Sequence, residues 1–209
     1  MNRRDFVKLA AASAVAALPT RTSAAACVLQ RFGDGRDWFF EKRYGMFVHW
    51  GIYALPAWHE QHQWRARVPR TEYVRLAKEW NPRKFDPEVW LDLLQEAGME
   101  YLCVTAKHHD GFSLWDSRAT TFTTMNTPYG RDIIGMIADA CHRRGVPLCL
   151  YYSIADWNHP NYPNQGRHHE LPPQPQDAPD WDKYLEFLKA QVKELCSNYG
   201  EIHGFWWDM

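Results

Sequence analysis

The sequence predicts an α/β fold: a (β/α)8 TIM-like barrel, truncated after about the fourth strand. Three observations support this prediction. Strand-like and helix-like segments alternate, the strands are almost entirely apolar, and a polar residue follows each strand. Alternation favours a parallel sheet, because a crossover helix returns the chain to the same end of the sheet. Apolar strands indicate burial on both faces, and polar strand ends are typical of the catalytic face of a βα barrel.

Three predicted helices share one pattern, in which an Asp opens the helix, a Gly ends it and a strand follows. The pairs are Asp86 and Gly98, Asp132 and Gly145, and Asp180 and Gly200. Asp is a good N-terminal cap and Gly a good C-terminal one. The first helix has a predicted apolar face of Trp90, Leu93, Leu94 and Ala97. The predicted strands are 45–48, 101–107, 146–152 and 202–207.

Three further features refine the fold. No Gly-rich phosphate loop follows any strand, which argues against a nucleotide-binding fold. Four strands are half of an eight-stranded barrel, so we expect the sequence to be truncated. The Pro-rich segment 158–180 cannot be a regular helix or central strand. It follows a strand, so we expect it on the catalytic face as a lid.

Residues 1–26 are predicted to be a twin-arginine signal peptide, because Arg3-Arg4 precedes an Ala-rich apolar stretch and small residues. The remaining segment, 27–209, is then the N-terminal half of a barrel catalytic domain. We expect export by the Tat machinery to the periplasm or the extracellular space of a bacterium. The apolar stretch 9–18 is too short to span a membrane. Cys27 follows the small residues and is a candidate for lipidation.

Composition restricts the partners. The 24 basic and 25 acidic side chains nearly balance, which disfavours nucleic acid. The excess lies in 11 Trp and 10 Tyr, whose rings either stack on sugars or fill the core. We expect buried free thiols at the other four cysteines, which are Cys103, Cys141, Cys149 and Cys196.

The candidate site residues follow the strands. Side chains alternate along a strand, so Trp206 and Asp208 are predicted to share a face, which would place an aromatic wall beside a carboxylate as in a glycosidase subsite. The alternative is a core Trp and a helix-capping Asp. The other strand-end candidates are His49, His108, His109, and either Tyr151 or Tyr152, which point to opposite faces.

Glu60 lies in an aromatic and polar loop after the first strand. It is a candidate sugar ligand or proton donor, and otherwise a solvated loop residue. The adjacent imidazoles of His108 and His109 each need a hydrogen-bonding partner, which a polar ligand would supply. Metal binding is the competing idea, although no His-x-His or His-Glu-x-x-His pattern accompanies the pair.

Taken together, four motifs in order resemble those of glycoside hydrolase family 29, the α-L-fucosidases, over residues 39–209. The motifs are Gly45-Met46-Phe47-Val48-His49-Trp50-Gly51, Lys107-His108-His109-Asp110-Gly111-Phe112, Leu150-Tyr151-Tyr152-Ser153 and Trp206-Trp207-Asp208-Met209.

The resemblance implies a retaining exo-glycosidase that releases α-L-fucose from fucosylated glycans by double displacement, without a metal or organic cofactor. Asp208 would be the nucleophile and Trp206 would line the subsite. Four residues would hold the fucose hydroxyls: His49, His108, His109 and Tyr151, with Tyr152 the second choice. Glu60 matches a loop glutamate that contacts sugar or acts as acid/base in some relatives. The usual acid/base glutamate lies beyond the fourth strand, so we expect the 209-residue chain itself to be inactive.

Two alternatives stay open. One is a metal-dependent barrel hydrolase that uses His49, His108, His109 and Asp208 as ligands. The other is a non-catalytic carbohydrate-binding protein that keeps the sugar subsite and lacks the acid/base residue.

Overall fold

The computed structural model describes residues 31–166 and 169–208. The chain divides into two compact units, Met1–Asp37 and Trp38–Met209. In the first unit, the carboxylate of Asp37 accepts hydrogen bonds from the backbone N–H groups of Phe32 and Gly33. The predicted signal peptide 1–26 and Cys27 lie outside the described residues and remain predictions.

The second unit contains a four-stranded sheet whose order follows the sequence. The strands are β1 (Met46–Val48), β2 (Leu102–Lys107), β3 (Leu148–Ser153) and β4 (Gly204–Asp208). Every neighbouring pair is parallel, which confirms the predicted α/β class. The sheet is open within the described residues, so barrel closure stays a prediction.

Six helices accompany the strands in the described part of the chain. They are α1 (Trp38–Lys42), α2 (His62–Arg65), α3 (Arg70–Tyr73), α4 (Pro87–Glu96), α5 (Ile133–Arg144) and α6 (Trp181–Asn198). Short 3-10 turns lie at Gly35–Asp37, Ile52–Ala54, Val74–Lys78 and Thr124–Asn126. No described helix is long and apolar enough to cross a membrane.

The three predicted helices begin where the capping residues indicate. The side chains of Asp86, Asp132 and Asp180 each accept a hydrogen bond from a backbone N–H in the first turn, at 3.0, 2.7 and 3.1 Å. Gly145 ends α5 with φ at 64°, a left-handed conformation that glycine adopts without steric cost. Local capping chemistry therefore sets these helix boundaries.

The predicted apolar face of α4 is partly wrong. Leu91 and Leu94 are buried, whereas Leu93 is 58% exposed and Ala97 is also exposed. The buried positions 87, 91 and 94 follow the spacing of one helical face, so the helix is rotated relative to the prediction. This face packs in the core between sheet and helices, with Val104 and Leu150 of the central strands.

The predicted burial of the cysteines is also only partly correct. Cys103 and Cys141 are buried, but Cys149 is partly exposed and Cys196 is exposed. Cys196 lies in α6, close in sequence to the buried Gln191 and Leu195 but on the solvent side of the helix. All four are free thiols.

A β-bulge interrupts β2 just before its carboxyl end. Thr105 pairs with Tyr151, and Lys107 pairs with the next residue, Tyr152, so Ala106 is the extra residue. A bulge re-aims the side chains that follow it. Lys107 therefore lies beside Tyr152, with its Nζ 4.5 Å from the centre of that ring.

Candidate active site

The predicted site residues meet at the carboxyl edge of the sheet. His49 follows β1, His108 and His109 follow β2, Tyr151 lies in β3, and Asp208 ends β4. Parallel strands bring their carboxyl ends to one edge, which explains how positions far apart in sequence become neighbours.

Two side chains lie close to one oxygen of Asp208. The hydroxyl of Tyr151 donates a hydrogen bond to its Oδ2 at 2.6 Å, and Nε2 of His109 lies 3.7 Å from the same atom. Burial, followed by the hydrogen bond to Asp208, raises the pKa of Tyr151, so its hydroxyl stays a donor. The Asp208 side chain is nevertheless 41% exposed, so a ligand can reach it.

Two imidazoles pack against Tyr151, and a third packs against one of these two. The ring centroids of His49 and His108 lie 5.0 and 5.4 Å from the Tyr151 ring, and the His108 ring stacks on it. His109 lies 4.3 Å from His108, centroid to centroid. His49 is exposed at the rim of the site, where partial desolvation lowers its pKa. Tyr152 points to the other face, where its hydroxyl donates to Gln191, so Tyr151 is the tyrosine of the site.

The hydrogen bonds of Ser153 determine the tautomer of His109. Ser153 donates its single hydroxyl proton to the carbonyl of Ala155 at 2.8 Å. Its oxygen must therefore accept a hydrogen bond from Nδ1 of His109. Burial lowers the pKa of His109 to about 4, so at neutral pH the ring is uncharged and Nε2 is an acceptor. Nε2 and the Asp208 carboxylate are thus two acceptors facing each other, and a ligand hydroxyl can donate between them.

His108 has an unsatisfied ring nitrogen. The residue is 3% exposed, and its Nδ1 has no hydrogen-bonding partner within the described structure. Burial, then the neighbouring imidazoles of His109 and His49, lower its pKa well below 6.5. A buried polar atom without a partner is costly, so a ligand hydroxyl here would gain a full hydrogen bond.

Two residues that the sequence does not single out support the site. The hydroxyl of Thr105 accepts from the backbone N–H of Trp50 and donates to its carbonyl, at 2.9 and 2.8 Å, which ties β2 to the residue after His49. Asp110 is buried and accepts from the Tyr73 hydroxyl at 2.7 Å. Neither spacing nor residue type distinguished them from ordinary strand and turn residues.

His109 and Asp110 have opposite effects on the pH dependence of stability. Because the pKa of His109 falls from 6.5 to about 4 on folding, the unfolded state takes up this proton first on acidification, and stability falls between these values. The pKa of Asp110 is raised from 3.8 to about 6, chiefly by burial, so the folded state takes up that proton first and stability rises. The two shifts act in opposite directions over the same acidic range, so they partly offset each other. His108 adds to the His109 effect.

We therefore expect Asp110→Asn to sharpen the acid sensitivity of the protein. Between about pH 6 and about pH 4 the variant should lose about 2 kcal/mol more unfolding free energy than the wild type, because the opposing carboxyl is gone. Urea unfolding at a series of pH values measures this. The exposed Asp139→Asn serves as the control. Parallel stability curves for wild type and Asp110→Asn would contradict the assignment.

Trp206 is placed as predicted, on the same face as Asp208. Its ring is 57% exposed and lies 5.4 Å from the Phe47 ring, centroid to centroid. Trp207 points to the opposite face, where it stacks on Phe205 at 5.0 Å. An exposed indole beside a carboxylate can pack on the apolar face of a sugar ring.

Glu60 lies near the cluster in the loop after β1. Its Oε2 is 3.2 Å from Nδ1 of His59, and its side chain is 37% exposed. Its charge opposes the desolvation that lowers the pKa values of His49 and His109. Glu60 is therefore electrostatically part of this face.

The Pro-rich segment reaches the same face. The ring of His169 lies 6.4 Å from that of His109. Buried Arg70 holds the segment in place, because its Nη1 lies 2.6 Å from Oδ1 of Asp177 and its Nε donates to the carbonyl of Trp157 at 2.8 Å. The predicted position is therefore correct, whereas the Arg70–Asp177 pair was not foreseen.

Three of the four candidate metal ligands are imidazoles that pack ring against ring or against Tyr151. Within residues 31–166 and 169–208, no three His, Cys, Asp or Glu side chains converge to hold an ion. The geometry instead offers a half-exposed carboxylate, uncharged imidazoles and an exposed indole at the strand ends of a parallel sheet. The strand ends of a parallel sheet are where βα-barrel proteins place their catalytic and binding groups.

The family model described as Alpha-L-fucosidase matches residues 12–209, and the chain belongs to this family. Tissue α-L-fucosidase of Rattus norvegicus is 36% identical over 142 residues, covering 60% of this chain and 31% of the relative. The chain thus spans less than a third of that relative's length.

Solved structures of α-L-fucosidases are also similar to this chain. α-L-Fucosidase isoenzyme 1 from Paenibacillus thiaminolyticus is 40% identical with a TM-score of 0.75, covering 83% of this chain and 42% of that one. A family 29 α-L-fucosidase from Bacteroides thetaiotaomicron is 36% identical with a TM-score of 0.74, covering 84% and 41%. The latter was solved as a trapped covalent intermediate with 2-fluoro-fucosyl fluoride, in a Glu→Gln mutant.

Proposed function

We propose that the full-length protein is a retaining exo-glycosidase that releases α-L-fucose from fucosylated glycans. The observation that carries this proposal is Asp208, a half-exposed carboxylate held by Tyr151 and facing the neutral Nε2 of His109. The exposed Trp206 on the same face would bind the sugar ring. Membership of the α-L-fucosidase family supports the choice of sugar.

The reaction is a double displacement. The Asp208 carboxylate attacks the anomeric carbon, the glycosidic bond breaks, and a carboxylic acid gives its proton to the leaving oxygen. The resulting carboxylate then takes a proton from water, the hydroxide attacks the same carbon, and Asp208 leaves. The covalent intermediate trapped in the Bacteroides relative supports this mechanism. Neither step needs a metal or organic cofactor.

Uncharged imidazoles suit the recognition of sugar hydroxyls. A hydroxyl can donate to Nε2 of His109, and Nδ1 of His108 is buried without a partner in the described structure. His49 at the rim and the Tyr151 hydroxyl supply further polar contacts. Because the imidazoles are uncharged, no fixed cation competes with the sugar hydroxyls for the Asp208 carboxylate.

Glu60 is our candidate for the acid/base residue or a sugar contact in the described chain. We also propose that the sheet is the first half of a (β/α)8 barrel and that polypeptide following β4 supplies the usual acid/base glutamate. The inner-face ring of Phe47 is 41% exposed. This exposure supports further strands covering it.

Hydrolysis of an aryl α-L-fucoside by the full-length protein tests the proposal. NMR of the first product should show the α-anomer of fucose, because two inversions give retention. Release of the β-anomer would exclude Asp208 as a covalent nucleophile. Fucose binding without turnover would instead indicate the non-catalytic carbohydrate-binding protein.

Tyr151→Phe should lower kcat/KM by about 10- to 100-fold. The change removes a charge-assisted hydrogen bond of 2.6 Å to Asp208, a contact worth roughly 1.5–3 kcal/mol. Steady-state kinetics on the aryl fucoside measure it. Tyr129→Phe is the control, because the Tyr129 hydroxyl donates to the sulfur of Met136, away from the strand ends. Equal rates for both variants would remove Tyr151 from the site.

We further propose that residues 1–26 direct export through the Tat machinery, with Cys27 as a candidate lipid attachment site. The Arg3-Arg4 pair supports this. Replacing both with Lys should retain the protein in the cytoplasm on cell fractionation. Unchanged export would rule out this route.

A further inference from the structure

Two indoles and two guanidinium groups surround a cavity beside the candidate active site. Its lining residues are Trp58, Trp64, Arg65 and Arg67, and its volume is about 350 Å³. Cavities that bind small molecules span roughly 300–1,000 Å³. All four residues belong to the loop after β1, which includes α2, and the proposed hydrolysis uses none of them.

The ring of His169 lies between the cavity and the candidate active site. The Trp64 ring is 4.3 Å from the ring of His169, which in turn is 6.4 Å from His109, centroid to centroid. His109 is the imidazole that faces Asp208. A sugar linked to a fucose bound at Asp208 can therefore extend towards these indoles.

The residues that line the cavity carry two positive charges and no carboxylate. Arg65 and Arg67 are exposed, and neither forms an ion pair with a carboxylate in the described part of the chain. Arg65 donates to the neutral Oε1 of Gln61 at 3.1 Å, and its guanidinium lies 5.6 Å from the Trp64 ring centre. Glu60 is the one acidic residue of segment 58–67, and His59 lies beside it. Two cations against one carboxylate favour an anionic ligand.

The loop is held in shape before any ligand arrives. The backbone N–H groups of Arg67 and Val68 donate to the carbonyls of Trp64 and Gln63, at 3.2 and 2.9 Å. Arg67 has φ at 54°, a left-handed conformation that is uncommon for a residue with a side chain. A preformed site loses less conformational entropy on binding.

We propose that this cavity is a subsite for an acidic sugar, carboxylated or sulfated, that carries the fucose as its substituent. The indoles would pack on the pyranose ring, and the two guanidinium groups would bind the carboxylate or sulfate oxygens. The inference rests on the proposed fucosidase function and adds the class of the leaving group.

Matched disaccharides test the subsite. Fucosyl-glucuronic acid and fucosyl-glucose, in each common linkage, differ only in the carboxylate, and a fucosyl-galactose with and without sulfate forms a second pair. The full-length protein should show a higher kcat/KM for the acidic member of a pair. Arg65→Gln/Arg67→Gln should reduce this acidic-to-neutral ratio by about five- to tenfold, because two exposed cations are lost. High salt should reduce the wild-type ratio.

Arg75→Gln is the matched control, since Arg75 is exposed and does not line the cavity. It should leave the acidic-to-neutral ratio unchanged. Trp58→Ala should raise KM for both members of a pair by removing the stacking surface. The pair that responds to the double variant identifies carboxylate or sulfate as the ligand.

A ratio near one in the wild type, or a ratio equally altered by Arg75→Gln, would overturn the subsite. That outcome is separate from the fucosidase proposal, which an aryl fucoside tests independently. Circular dichroism of each variant confirms folding. If the double variant is unfolded, the single variants Arg65→Gln and Arg67→Gln provide the same comparison.

Discussion

Asp208→Asn should lower kcat for an aryl α-L-fucoside by about 10³-fold or more in the full-length protein. The amide cannot form the covalent bond to the anomeric carbon, and the loss of a nucleophile removes the entire double-displacement route. The oxygen of the introduced amide can still accept the hydrogen bond from Tyr151, so the site should keep its shape. Fucose binding measured by calorimetry should therefore change much less than kcat.

The control for this loss is Asp139→Asn, an exposed carboxylate on α5. A surface change of this kind should alter kcat by about twofold or less. Asp208→Gly adds a positive test, because an azide anion can enter the vacated space and attack the anomeric carbon directly. β-Fucosyl azide is then the expected product. Only a few-fold loss in Asp208→Asn would show that another group is the nucleophile.

The elements of the fold were predictable where the signal was local. Asp86, Asp132 and Asp180 each cap a helix as predicted, because an N-terminal cap depends on a side chain and the next turn of the same helix. The rotation of α4 was not predictable, because Leu91 and Leu93 are equally apolar. Only the packing partners of the helix decide which of them is buried.

The candidate site was also predictable only in part, because some of its features depend on contacts between distant segments. His49, Tyr151 and Asp208 were recognisable because parallel strands bring their carboxyl ends to one edge. The bulge at Ala106 cannot be recognised from the residue types around it. It nevertheless causes Lys107 to point away from the inner face. The Arg70–Asp177 pair joins residues that are 107 positions apart, and no spacing rule in one sequence connects them. Long-range polar pairs become visible only once the loops are placed.

Lys107→Met should destabilise the protein by about 3–5 kcal/mol, as expected when one partner of a buried ion pair is removed. Lys107 is fully buried, and its Nζ lies 3.0 Å from Oδ2 of Asp156, whose side chain is 3% exposed. Burial lowers the pKa of Lys107, but the charges of Asp156, Tyr152 and Tyr184 together with the hydrogen bond to Asp156 outweigh it, and the pKa ends well above 10.5. The stabilisation is therefore fully present at neutral pH and is lost only in strong alkali.

Methionine keeps the apolar stem of Lys107 among the rings of Tyr152, Tyr184 and Phe187, so the variant tests charge more than packing. Urea unfolding at neutral pH gives the free energy of unfolding. Lys183→Met is the matched control, because the Lys183–Asp180 pair has the same 3.0 Å distance but side chains that are 69% and 36% exposed. It should cost less than about 1 kcal/mol.

The double variant Lys107→Met/Asp156→Asn distinguishes two causes of destabilisation. One is the unpaired, buried carboxylate of Asp156, and the other is the loss of the contacts that Lys107 makes. The side-chain oxygen of the introduced asparagine can still accept from the backbone N–H groups of Asn158 and His159, as the Asp156 carboxylate does. If the cost of Lys107→Met comes from an uncompensated carboxylate, the double variant should recover part of the stability. The Lys107–Asp156 ion pair is also connected to the candidate active site. Trp157, the residue after Asp156, donates its backbone N–H to the carbonyl of His109 at 2.7 Å. Equal stability of Lys107→Met and Lys183→Met would mean that the buried ion pair contributes little to the stability of the protein.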